Sequence, residues 1–145
     1  MSSHEYKIHD LMIEDLTVAD EKLTDLIKEI ADLYLKNDRA WVIGFSGGKD
    51  STVILSLIFQ ALTTLTKRQL NKNVYVVCSD TLVETPVVVG LVREVLNKVQ
   101  MSANEKGIPL VTQMVVPDTN NTFWSNLLGK GYPAPTKGFR WCTER

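Results

Sequence analysis

Apolar positions recur at helical spacing in some stretches of the chain and stand in short continuous runs in others. Leu23, Leu26, Ile27, Ile30, Leu33 and Tyr34 recur at helical spacing and predict an amphipathic helix over 17–36 with a solvated charged face. Thr17 with Asp20 resembles a capping box at its start, and Asn37-Asp38 marks its stop. The apolar run Trp41-Val42-Ile43-Gly44-Phe45 then reads as a buried strand. After the turn Ser46-Gly47-Gly48-Lys49-Asp50-Ser51, a second helix runs through Val53, Leu55, Leu57, Ile58 and Leu62. A turn at 71–73 leads into a second buried strand at 74–78. Pro86, in a first-turn position after Thr85, opens a third helix reaching about Asn104. Gly107 stops that helix, and 109–116 is a third strand.

Strands that alternate with helices and read as continuous apolar runs predict an α/β fold. The expected architecture is a three-layer domain whose parallel sheet is covered on both faces. Residues 1–40 form an acidic helical segment, with ten Asp/Glu against five Lys/Arg, and 41–145 form the α/β domain. Beyond Pro117 the pattern changes to a polar turn at 118–122, one or two helical turns at 123–128 and a loop at 129–138. Residues 130–145 hold four basic residues and one acid.

Composition narrows the function classes. The 145 residues carry 16 Lys+Arg and 17 Asp+Glu, a formal net charge of -1, which argues against non-specific nucleic-acid binding as the main task. Two cysteines, Cys78 and Cys142, exclude a disulfide framework and a self-contained four-cysteine metal centre. The histidines, His4 and His9, both precede the domain, which disfavours a histidine-based catalytic triad. No apolar run has the length of a membrane span, and the acidic N-terminus does not resemble a secretory signal. The expectation is a soluble cytoplasmic protein.

The turn at 46–51 carries the most chemistry. Adjacent glycines let main-chain N–H groups approach a ligand, and the helix that follows aims its unpaired N–H groups and positive dipole end at the same place. This predicts a phosphate or pyrophosphate site. Ser46 and Ser51 are candidate hydroxyl donors, and Lys49 a candidate for neutralising phosphate charge. Asp50 beside phosphate implies a bridging Mg²⁺. The spacing matches neither Gly-x-x-x-x-Gly-Lys-Ser/Thr nor Gly-x-Gly-x-x-Gly.

Ser46-Gly47-Gly48-Lys49-Asp50-Ser51 after a strand resembles the PP-loop of the ATP pyrophosphatase superfamily, whose members cleave ATP between the α- and β-phosphates and adenylate a substrate. Cys78-Ser79-Asp80-Thr81-Leu82-Val83-Glu84-Thr85-Pro86 resembles the corresponding segment of the phosphoadenosine phosphosulfate (PAPS) reductase branch. The segments 122–135 and 139–145 resemble the DndC family of that branch, which acts in bacterial DNA phosphorothioation.

The resemblance implies an ATP pyrophosphatase of sulfurtransferase type that adenylates a DNA backbone phosphate for sulfur incorporation. It would work within a multi-protein complex, with a cysteine desulfurase as sulfur source. Lys49, Asp50 and Cys142 would be catalytic. Ser46, Gly47, Gly48, Lys49, Asp50, Ser51, Asp80, Thr81 and Arg140 would bind ATP, and Asp50 the Mg²⁺. Family members also carry an iron–sulfur cluster on downstream cysteines, so the chain is expected to be an N-terminal portion.

Several alternatives stay open on the residues alone. Asp80 and Thr85 also suit turn and helix-cap chemistry. Cys142, beside Arg140 and Arg145, is a candidate thiolate or a half-buried small residue. Cys78 reads as core. Lys130, Lys137 and Arg140 are an anion clamp or scattered solvated charge. Phe123, Trp124, Tyr132, Phe139 and Trp141 stack on a base or pack against the sheet. At the level of function, a nucleotide-binding module without turnover, a PAPS or adenylyl-sulfate reductase and a tRNA-thiolating enzyme remain alternatives.

Overall fold

The structure, a computed structural model, describes residues 21–136 and residue 138. It contains α1 (Glu21–Leu35), β1 (Trp41–Gly44), α2 (Lys49–Thr63), β2 (Val74–Ser79), α3 (Pro86–Lys106) and β3 (Leu110–Val115). A 3-10 turn (Thr119–Asn121) and a π-helical turn (Ser125–Gly129) follow. The predicted order of elements holds. The capping box at Thr17 and Asp20 lies outside the described residues.

The three strands form one parallel sheet in the order β1-β2-β3. Trp41 lies opposite Val74 and Val74 opposite Leu110, so all three strands point the same way and their carboxyl ends share one edge. Right-handed crossovers between consecutive neighbours place α2 and α3 on the same face. Their buried stripes, Leu55, Phe59 and Leu62 from α2 and Val92, Leu96, Val99 and Ala103 from α3, meet Ile43, Val74, Val76, Cys78 and Leu110 in one core. Each fully buried Val, Leu, Ile or Phe among them contributes about 1.5–3 kcal/mol of burial.

The helix ends follow local rules. Pro86 sits in the first turn of α3, and Gly107 ends it in the left-handed conformation at φ 68°. α1 packs on α2 through a narrower stripe than its leucines imply. Ala31 and Tyr34 are buried, whereas Leu26 and Leu33 are exposed. Tyr34 fixes the helix end: its hydroxyl donates to the Lys72 carbonyl at 2.7 Å and accepts from the Lys72 N–H at 3.3 Å. The buried Lys72 ammonium donates to the Asn37 carbonyl and lies 4.4 Å from the Tyr34 ring centre.

Cover on both sheet faces was expected, and among the described residues only one face has it. Positions along the strands alternate, with Ile43, Val76 and Leu110 buried and Val42, Val111 and Val115 exposed. The apolar runs are therefore those of a parallel sheet, but their outward residues meet no described element. Among the described residues, no helix is long and apolar enough to cross a membrane.

Candidate functional site

β1 ends at Gly44, and Phe45, buried in the core, anchors the turn that follows. Gly47 takes φ 75°, a conformation open to glycine at little cost. A Cβ there would stand 2.6 Å from Val92 Cγ2, so α3 forms a wall against the turn. Gly48 is the N-cap of α2, in extended conformation and with no side-chain cap.

The first helical bond runs from the Thr52 N–H to the Gly48 carbonyl at 3.0 Å. The N–H groups of Lys49, Asp50 and Ser51 precede it and have no intrahelical acceptor. Lys49 and Asp50 are exposed and in no ion pair among the described residues. Free N–H groups, the helix dipole and a lysine together favour an anion.

The two serines brace the turn. Ser46 Oγ and Ser51 Oγ lie 3.1 Å apart. Ser51 Oγ also donates to the Gly48 carbonyl at 3.0 Å and accepts from the Ser46 N–H at 3.3 Å. Their hydroxyls thus hold the turn's shape, in addition to any donation to a ligand.

The segment after β2 lies at the same sheet edge, since Gly44 is in register with Val77. Asp80 is buried and accepts from the Leu82 N–H at 2.9 Å. That bond accompanies a positive φ of 63° at the exposed Leu82. Thr81 Oγ1 donates to Glu84 Oε1 at 2.7 Å, and this hydrogen bond holds the Glu84 carboxyl below its ordinary pKa. Thr85 occupies the N-cap of α3 without a side-chain cap bond.

Cys78 is buried on β2, as expected of a core residue. Burial, then the charges of Asp80 and Glu84, push its thiol pKa up and keep it protonated. Lys130 donates to Asn121 Oδ1 at 3.2 Å. Phe123 and Trp124 meet edge to face, with ring centres 5.2 Å apart. The predicted site residues Arg140 and Cys142, with Lys137, Phe139, Trp141 and Arg145, lie outside the described residues. The structure therefore brings Ser46 to Ser51 and Asp80-Thr81 to one edge.

Two contributors escaped the sequence reading. Val92 sits in the apolar stripe of α3 and gives no sign that it walls a turn 45 residues earlier. Glu84 was visible within its motif, but its pairing with Thr81 depends on the tight turn at Leu82.

The residues fit Mg²⁺ as a one-carboxylate site completed by substrate phosphates, with Asp50 as the protein ligand. Among the described residues no group of three or more His, Cys, Asp or Glu side chains gathers as a metal cage, which such a phosphate-bridged site does not require. An iron–sulfur cluster does not fit the described residues, since they hold one cysteine, Cys78, where a cluster takes several thiolate ligands.

Comparison with known proteins finds a distant relative. The chain is 30% identical over 136 residues to the uncharacterized protein MJ0066 of Methanocaldococcus jannaschii, which covers 93% of this chain and 24% of that protein. The chain thus spans about a quarter of the relative's length. No family profile and no solved structure matches.

Proposed function

We propose that the 46–51 turn binds the phosphates of ATP and that the domain transfers the adenylyl group, releasing pyrophosphate. The observation that carries this reading is the glycine-capped start of α2. It offers N–H groups without intrahelical acceptors at the carboxyl edge of a parallel sheet, beside Lys49 and Asp50, which form no ion pair among the described residues. In open parallel α/β sheets that edge is where ligands bind.

The chemistry needs no covalent enzyme nucleophile. An acceptor oxygen attacks the α-phosphorus, the bond from that phosphorus to the bridging oxygen breaks, and pyrophosphate leaves with the electron pair. The N–H groups of Lys49, Asp50 and Ser51 would hold the leaving phosphates, and Lys49 would neutralise their growing charge. Asp50 would hold Mg²⁺, which when bound supplies further charge neutralisation. The buried Asp80 fixes the 80–84 turn, leaving the Thr81 and Glu84 side chains beside the nucleotide.

The acceptor in this reading is a DNA backbone phosphate. Sulfide, released from a cysteine desulfurase's persulfide by a thiol reductant, then attacks the DNA phosphorus, and AMP leaves with the bridging oxygen and its electron pair. Support for that acceptor is the resemblance of 78–86, 122–135 and 139–145 to the phosphorothioation branch. Arg140 and Cys142 would act there. No step is assigned to an iron–sulfur cluster.

Pyrophosphate release from Mg²⁺-ATP in the presence of DNA is the test. Release by the wild type, lost in Lys49→Ala and Asp50→Ala, supports adenylyl transfer. ATP binding without pyrophosphate makes the domain a nucleotide-binding module. Release that depends on PAPS, adenylyl sulfate or tRNA instead of DNA keeps the site and changes the acceptor.

A further inference from the structure

α3 returns the chain from β2 to β3, so it runs antiparallel to both strands. Arg93, Asn97 and Gln100 are spaced by four and three residues and share one face of that helix. Gln100 shows what this face does. Its Oε1 accepts from the Thr112 N–H at 2.8 Å, and its Nε2 donates to the Leu110 carbonyl at 2.9 Å. The outer edge of β3 therefore already holds one amide at two points.

The next position along that edge is open. The carbonyls of Pro109 and Val115 accept from the Val74 and Asp80 N–H groups, so the odd-numbered residues of β3 face β2. Alternate residues of a parallel strand face opposite neighbours, and Thr112 and Met114 turn their main-chain groups outward. The Thr112 carbonyl and the Met114 N–H repeat, one step along, the pair that Gln100 occupies. Neither has a partner among the described residues.

Thr112 and Met114 line a cleft of about 330 Å³ with Val116 and with Arg93, Leu96 and Asn97 of α3. Seven residues of helix rise about 10 Å and four of strand about 13 Å, so Arg93 stands near the level of Val116. Arg93 and Asn97 are exposed, and neither side chain has a hydrogen-bond or ion-pair partner among the described residues.

We propose that this cleft binds a small carboxylate that also carries a peptide amide, the chemistry of an N-acyl amino acid or of a peptide's C-terminus. The amide pairs with the Thr112 carbonyl and the Met114 N–H, as that of Gln100 does one step away. The carboxylate meets the Arg93 guanidinium, with the Asn97 amide as a further donor. An apolar side chain of the ligand lies on Leu96, Met114 and Val116. The volume is at the small end of ligand sites, and Gln100 closes the edge in one direction, so the bound part is short.

NMR titration of the full chain with N-acetylalanylleucine tests this. Saturable shifts centred on the Met114 and Val116 amides are expected. Arg93→Gln, and separately the amidated ligand on the wild type, should bind at least about tenfold more weakly. A longer peptide with the same C-terminal residues that binds at least about tenfold tighter assigns the site to a chain end, and one that binds no tighter assigns it to the free small molecule. Either result supports the site. No saturable shift up to about 10 mM ligand, tenfold above a Kd of about 1 mM, overturns the proposal. Equal affinity for the amidated ligand, or shifts confined to the 46–51 turn, also overturns it.

Discussion

Val92 Cγ2 occupies the space where a side chain on Gly47 would begin, 2.6 Å from the position of its Cβ. The 46–51 turn is thereby shaped by a helix that begins 39 residues later in the chain. Gly47→Ala meets both this contact and the cost of φ 75°. We expect it to destabilise the fold by about 1–3 kcal/mol in urea denaturation. Adding Val92→Ala should recover the part due to the clash and leave the torsional part. Wild-type stability in Gly47→Ala would contradict the close packing.

The Thr81–Glu84 hydrogen bond makes a pH prediction. A carboxyl held below its ordinary pKa stabilises the fold while it is ionised, and that contribution fades as pH falls through the lowered pKa. Thr81→Ala should move the Glu84 titration, followed by NMR, up toward the ordinary value. The stability gap between wild type and Thr81→Ala should be present at neutral pH and shrink below about pH 4. An unmoved Glu84 titration would show that Thr81 is not its partner.

Tyr34 joins α1 to the turn before β2. Tyr34→Phe removes one donated and one accepted hydrogen bond to the Lys72 backbone in a buried place. The expected cost is about 1–2 kcal/mol at neutral pH. Burial also raises the phenol pKa, so this contribution is present below about pH 10 and is lost as pH rises through the raised value. Thermal melts of both proteins from pH 7 to 11 should converge at the alkaline end.

Cys78 should resist modification. In a Cys142→Ser background, labelling by a disulfide reagent at pH 8 should be at least about tenfold slower in the folded protein than in urea, because a buried, protonated thiol is a poor nucleophile. Equal rates would place Cys78 at the surface.

Much of this arrangement was legible in the sequence because it is local. The glycine pair, Pro86 and Gly107 each act within a few residues, so the turn, the start of α3 and its end were readable at those positions. Apolar runs identified the strands, but run length alone does not reveal whether a covering element is present, and Val42 and Val111 proved exposed. The links across the chain, Gly47 with Val92, Tyr34 with Lys72 and Gln100 with Thr112, join residues that no local period connects. The same holds within the site. Ser46 and Ser51 were visible as hydroxyls flanking a glycine-rich turn, while their mutual bracing needed its folded shape.

The proposed role of the start of α2 is to hold the phosphates of ATP. Calorimetric titration with Mg²⁺-ATP, comparing wild type with Lys49→Ala, tests it most directly. Binding by the wild type is expected, with at least about a tenfold loss of affinity in Lys49→Ala, the equivalent of about 1.4 kcal/mol, and with the fold unchanged by circular dichroism. Equal affinity in the two proteins would contradict it.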